Sequence, residues 1–185
     1  RLTMKKGWLG LLLLIVLAAG CGQRQDDNEG LSIFKYNESA GILTLDPIYA
    51  KDLPHIWACN QVCNSLVAFD DKMNIVPMVA HSWDISEDGK TYTFHLRNDV
   101  WFHQDKCFNE PRCVTSQDFV YSFNRVVVKQ LSSPGMWIFS SVKQENDQYA
   151  FTALDDSTFQ IELSKPFPPF LGILSMTFAS VVPKE

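Results

Sequence analysis

The chain has 185 residues, 46% of them apolar and 20% charged, the balance of a globular protein rather than a disordered one. Its formal charge of −5 gives it no electrostatic reason to seek the phosphate backbone of a nucleic acid. No internal repeat, phosphate loop, dinucleotide fingerprint or nucleophile elbow appears, and the histidines show neither HExxH nor CxxC spacing, so neither catalysis nor a resident metal or cofactor is expected.

In chain order, Met4-Lys5-Lys6 makes a positive start and Leu9 to Ala19 an apolar run too short to span a bilayer. Ala18-Ala19-Gly20-Cys21 follows, small residues ending in cysteine, and resembles the lipobox of bacterial lipoproteins. This predicts a signal peptide over 1–20, lipidation at Cys21, and a cell-envelope location, periplasmic or surface-exposed, with a membrane lipid anchor. An ordinary cleaved signal peptide, in which Cys21 has no role, is the alternative. Loss of that leader removes Arg1, Lys5 and Lys6 and leaves the rest more acidic still. Residues 21–30, polar and without an apolar anchor, read as a flexible tether.

Leu31 to Tyr36 alternates as a strand, and Asn37-Glu38-Ser39-Ala40-Gly41 reads as a loop. Pro47 holds Asp46 extended and is expected to block helix there. From Leu53 to Ala68 the residues Ile56, Cys59, Val62, Cys63, Leu66 and Val67 recur at steps of three and four, predicting an amphipathic helix with Cys59 and Cys63 as buried thiols. Asp70 to Asn74 is a turn. Trp83 and Ile85 then alternate with polar residues, Glu87-Asp88-Gly89-Lys90 supplies a tight turn, and the return strand sets Tyr92, Phe94 and Leu96 opposite Thr91, Thr93, His95 and Arg97. After Asn98-Asp99, Val100-Trp101-Phe102 should begin a third strand, with Trp101 joining Trp83, Tyr92 and Phe94 in the core.

The stretch from His103 to Cys113 is irregular. Cys107 and Cys113 could form a local disulfide in a chain that leaves the cytosol, or remain two free thiols. Thr115 is placed to cap a helix, with Asp118 three residues on, and Phe119, Val120, Phe123, Val126 and Val127 form its apolar stripe. Leu131 to Ser141 is loop-like, with Met136, Trp137, Ile138 and Phe139 behind Pro134-Gly135. Phe151 to Leu163 predicts a second hairpin around Asp155-Asp156-Ser157, with Phe159, Ile161 and Leu163 inward. Pro169 opens a short helix through Leu174, and Phe178 to Val182 is expected to return as a strand.

Four of these segments, Leu43 to Pro47, Ser82 to His103 (SWDISEDGKTYTFHLRNDVWFH), Val114 to Arg125 (VTSQDFVYSFNR) and Leu154 to Leu171 (LDDSTFQIELSKPFPPFL), together resemble the extracytoplasmic solute-binding proteins of peptide-type ABC importers, family 5. The resemblance covers roughly residues 31–185. It implies a mixed α/β fold of the type II periplasmic-binding-protein kind and no enzyme activity. It implies capture of an oligopeptide or similar solute for ABC permease and ATPase subunits. A metal-, metallophore- or haem-binding relative, or a surface lipoprotein outside transport, would use the same scaffold. It further implies that Asn37, Glu38, Ser39, Ala40, Gly41 and Ile42 border the ligand cleft and that Trp137 approaches the ligand. Members of the family being longer, 31–185 reads as an incomplete N-terminal lobe. Within it 47–179 would be an inserted subdomain with its own core, residues 31–46 and 180–185 would be poorly packed, and peptide affinity would be lacking without the second lobe.

Overall fold

The computed structural model describes residues 35, 37, 38 and 40–185; the expected signal peptide, Cys21, the tether, Ser39 and all of the Leu31–Tyr36 strand except Lys35 lie outside the described residues. The chain divides into Arg1–Asn37 and Glu38–Glu185, and every element described below belongs to the second unit.

Asp46 is extended, as a residue before proline must be, but Pro47 opens helical structure instead of blocking it. The Asp46 side chain accepts from Ile48 N–H and the chain makes one 3-10 turn, Pro47–Tyr49. Asp52 then caps α1, Leu53–Val62, with a proline in the first turn. The helix ends well short of the expected Ala68: Cys63 is extended, and the polar pair Asn64-Ser65 leads into β1, Val67–Phe69, paired with β2, Ile75–Pro77. Leu66 and Val67 are buried as expected, but past the helix, Leu66 in a bend and Val67 in β1. Val62 is exposed. Between β1 and β2 the Asp70 carboxylate accepts from the backbone N–H of Lys72 and Asn74, a side-chain-built turn in which Met73 takes φ 64°.

β3, Ala80–Ile85, and β4, Thr91–Leu96, form the first predicted hairpin, with Gly89 at φ 68° in its turn. α2 follows at Ser116–Val127, then a minimal ribbon of β5, Gln144–Glu145, and β6, Gln148–Tyr149, and the second hairpin of β7, Phe151–Asp155, and β8, Thr158–Glu162. The two hairpins join as one antiparallel sheet in the order β3-β4-β8-β7. The register aligns Tyr92, Ile161 and Phe151 across the sheet, and Phe94 with Phe159, all buried on one face. Thr93, Gln160 and His95 occupy the other face, where Gln160 donates to Thr93 Oγ1 and His95 pairs with Asp84 at 2.8 Å. Both outer strands are bulged, β3 between Ala80 and Ser82 and β7 between Ala153 and Asp155.

α2 lies on the apolar face. Asp118 accepts from Thr115 N–H at 2.8 Å, the capping box read from the sequence, and Phe119, Phe123, Val126 and Val127 are buried. The ring of Phe123 sits 4.7–5.7 Å from those of Phe139, Phe151, Phe159 and Phe119, mostly edge to face, at the centre of the core.

Three expectations about the core need correction. Ile85 lies on the predicted face, opposite Tyr92, yet is 47% exposed because β3 is an outer strand with little packed over its far end. Trp101 is 57% exposed and makes a single bridge to Cys113 instead of a strand. Its neighbours Val100 and Phe102 face inward, Phe102 stacking on Phe108 at 5.8 Å beneath the Arg112 guanidinium. Phe178 to Val182 forms no strand: after the short helix α3, Phe170–Ile173, the chain makes a 3-10 turn at Thr177–Ala179 and then runs extended. Single bonds replace a ladder there, from Val181 N–H to the Asn64 carbonyl and from Val182 N–H to Ser122 Oγ. Residues 180–185 are therefore not loosely packed. Val181 is buried, and Glu185 meets Arg112 at 2.6 Å.

The bridge between Cys107 and Cys113 is not formed; both are free thiols, and Cys113 Sγ donates to the Asn98 carbonyl at 3.3 Å. Cys59 is buried as predicted, its Sγ donating to the Leu45 carbonyl, while Cys63 is only partly covered. Burial, with the neighbouring Cys59 and Asp46, pushes the Cys63 thiol up to about 11.

Candidate functional site

Hydrogen bonds link the turn that follows Leu45 to the loop that carries Trp137. Asp46, beyond the first group of candidate residues, Asn37 to Ile42, accepts from Arg125 of α2 in a two-pronged pair, Nη2 to Oδ2 at 2.6 Å and Nη1 to Oδ1 at 3.1 Å. Both side chains are largely covered, and the Arg125 guanidinium also lies 5.9 Å from the Tyr121 ring. The turn after Asp46 then grips the loop that carries Trp137. Tyr49 Oη donates to the Leu131 carbonyl at 3.0 Å, and the buried Ser133 Oγ donates to the Ile48 carbonyl at 2.6 Å. Ser133 Oγ in turn accepts from Gly135 N–H.

Gly135 packs directly against Phe178. A Cβ there would stand 2.4 Å from the Phe178 ring, nearer than any side chain can come, so glycine is needed for the close approach. The loop then makes a 3-10 turn, Met136–Phe139, and not the irregular stretch expected. Ile138 and Phe139 enter the core while Trp137 remains 52% exposed. Beside it, Met136 lines a hollow of about 390 Å³ together with Val127, Lys129, Asp147 and Tyr149.

The first group is more open. Asn37, Ala40 and Gly41 are exposed and Ile42 largely so, while Glu38 is half-buried and its Oε1 accepts from Ala40 N–H at 3.2 Å. Asn37 falls in the other unit and Ser39 outside the described residues. Beyond Ile42, the Leu43 N–H donates to Nε2 of His55 at 3.1 Å, and His55 Nδ1 lies 2.5 Å from Asp52 Oδ1. The hydrogen bonds from His55 hold the Asp52 carboxyl below its ordinary value. Among these residues Ala40, Gly41 and Trp137 are exposed. Among the described residues no group of three or more His, Cys, Asp or Glu side chains could hold a metal ion.

Sequence reasoning missed Arg125, Ser133 and His55. The Asp52-Leu53-Pro54 run announces a helix start, so a capping role near His55 was readable. The partners of Arg125 and Ser133 lie 79 and 85 residues away and leave no local trace.

The chain is similar to known proteins. The family model for bacterial extracellular solute-binding proteins, family 5 Middle, matches residues 74–185. The dipeptide-binding protein of Escherichia coli is 38% identical over 128 residues, 66% of this chain and 24% of that protein. Heme-binding protein A of Haemophilus influenzae is 37% identical over 197 residues, 97% of this chain and 36% of that protein. Among solved structures, the ABC transporter-associated periplasmic binding protein DppA of Helicobacter pylori, in complex with the peptide STSA, superposes with a TM-score of 0.65 at 36% identity, covering 76% of this chain and 28% of its own. The chain thus spans between a quarter and about a third of the length of the curated relatives named here. The mixed helix-and-sheet fold is that of part of a lobe of a type II periplasmic binding protein.

Proposed function

The chain belongs to the family 5 bacterial extracellular solute-binding proteins, and from that premise we propose that it contributes to a binding protein that captures peptides, or similar solutes, for an ABC importer. The observation that carries this reading is the likeness of its sheet and helix to a relative solved with a peptide in place. The exposed ring of Trp137, on a loop locked to the Asp46 segment, supports a ligand contact at that point. Extended peptides held mainly through their backbone would meet the exposed residues Ala40, Gly41 and Ile42. The permease and ATPase subunits of an importer are the implied partners, with lobe closure as the signal they read.

A second reading has its own support, the 37% identity to a haem-binding protein over nearly the whole chain. Calorimetry on the native-length gene product with mixed di- to pentapeptides, beside a titration with haem followed in its Soret band, separates the two. Peptide binding with no change in haem absorbance is expected. Replacing Trp137 by alanine should weaken peptide binding about tenfold or more, as loss of an aromatic contact usually does. Haem uptake without any peptide heat would favour the second reading.

We place the protein in the cell envelope, held by lipid on Cys21. Cys21→Ser is expected to move the protein from the membrane to the soluble fraction, since a lipid chain and not a helix would be its anchor. Fractionation that finds the variant still fully membrane-bound would refute the anchor.

A further inference from the structure

We infer that Asp52 and His55 form a positioning pair that sets the path of the segment bordering the ligand, and that they hold it only while His55 is neutral. The inference rests on the reading of Ala40 to Ile42 as the edge of the cleft.

The geometry allows one tautomer. A carboxylate can only accept, so the hydrogen between Asp52 Oδ1 and His55 Nδ1, 2.5 Å apart, sits on Nδ1. A backbone amide can only donate, so Nε2, 3.1 Å from Leu43 N, must offer its lone pair. Asp52 also accepts from His55 N–H at 3.2 Å as the cap of α1, which fixes the carboxylate before the imidazole arrives. His55 is 9% exposed, a buried polar ring with both nitrogens engaged.

Asp46, at the end of this segment, is held by Arg125; ahead of it, among the described residues, the ties are fewer. Leu43 is 90% exposed, and Ile42 and Leu45 are largely exposed, so apolar packing does not anchor the backbone here. Besides the bond to His55, the Leu45 carbonyl accepts from the thiol of Cys59 at 3.4 Å, a weak donor. The His55 bond is therefore the stronger of these two long-range ties between Ile42 and Asp46. Protonation of Nε2 would turn it into a second donor facing Leu43 N–H, and the amide would have to give way.

The charged and titratable groups around the pair agree with that direction. Asp52, lowered by its bonds to His55, stays an anion and keeps hold of Nδ1. Lys51 adds a positive charge next to Asp52. Asp46 is taken up by Arg125, Glu38 accepts from Ala40, and the thiol of Cys59 is pushed up by burial and stays neutral.

The test follows the Leu43 amide by hydrogen exchange and nitrogen NMR in this chain, and peptide affinity in the native-length gene product. The measurements run from about pH 8 down to about pH 5. Over that interval Leu43 exchange, corrected for its intrinsic pH dependence, should speed up about three- to tenfold, the range of one net hydrogen bond. His55→Gln, whose side-chain oxygen can accept from Leu43 and never gains charge, should abolish the pH response. His55→Lys, which cannot accept, should exchange fast at both ends, and peptide affinity should follow the same three patterns. Leu43 protection that ignores pH in the parent, or that survives in His55→Lys, overturns the inference whether or not peptide binds. Exchange that responds while peptide affinity stays flat overturns its link to the ligand. Absence of peptide binding by the parent at every pH defeats the cleft reading instead, and the exchange result still decides the pair. Should His55→Lys fail to fold, the parent and His55→Gln carry the comparison.

Discussion

Phe123→Ala is expected to destabilise the unit by roughly 3–5 kcal/mol, the cost of emptying a fully buried aromatic position, and to lower Tm by roughly 10 °C or more. The size of the effect comes from position. Phe123 meets the rings of Phe119, Phe139, Phe151 and Phe159, so it joins α2, the Trp137 loop and the sheet in one contact set. No neighbour on a rigid sheet can move to fill the space. Phe123→Leu, which keeps most of the volume, should cost about 1.5 kcal/mol or less. Trp101→Ala is the control, a residue as large but mostly in solvent, and should change stability by no more than about 0.5 kcal/mol. Thermal unfolding that ranks Trp101 with Phe123 would mean the core has been drawn around the wrong aromatics.

Arg112→Ala should be the next most damaging change, by roughly 2–4 kcal/mol, toward the lower part of that range because the guanidinium keeps partial access to water. Arg112 donates to both oxygens of Asp118 at 2.8 Å, to Glu185 at 2.9 and 2.6 Å, and covers the rings of Phe102 and Phe108. Removing it leaves Asp118, only 4% exposed, with its cap contacts to Thr115 and an uncompensated charge. Arg112→Lys should recover little, since an ammonium cannot fork between two carboxylates. Glu185→Gln should be mild because that carboxylate lies at the surface. Arg112 holds Glu185 below the ordinary carboxylate value, so this contact is present above that value and is lost as the pH falls through the depressed one. Urea unfolding in which Arg112→Ala costs no more than Glu185→Gln would show that the cap alone satisfies Asp118.

What the sequence disclosed, and what it hid, divides by range. Both hairpins, the Thr115–Asp118 box and the α2 stripe were legible because turn chemistry and side-chain period are local properties. The end of α1 was misread because Leu66 and Val67 satisfy a helical spacing while lying past the helix; only the polar Asn64-Ser65 break argued otherwise. Trp101 was misassigned because period alone does not reveal which parity meets the core, and Arg112, eleven residues later in the chain, draws Phe102 inward instead. Phe178–Val182 had the composition of a strand but finds single hydrogen bonds from α1's end and from Ser122 in place of a ladder. On the site, the family was readable from four ordered segments. Asp46–Arg125, Ile48–Ser133 and Leu43–His55, which hold its two parts in place, exist only once the chain has folded.

The sheet's outer margins have a bearing on what can join it. Each carries one residue more than its inner neighbour requires, at His81 on β3 and at Leu154 on β7. The surplus breaks the even row of amides and carbonyls and sharpens the local twist, so neither margin offers a straight template for another strand. Copies of this protein crowded together are thereby discouraged from polymerising edge to edge. Any extended chain, by the same geometry, would find no straight docking rail along the outer strands of this sheet.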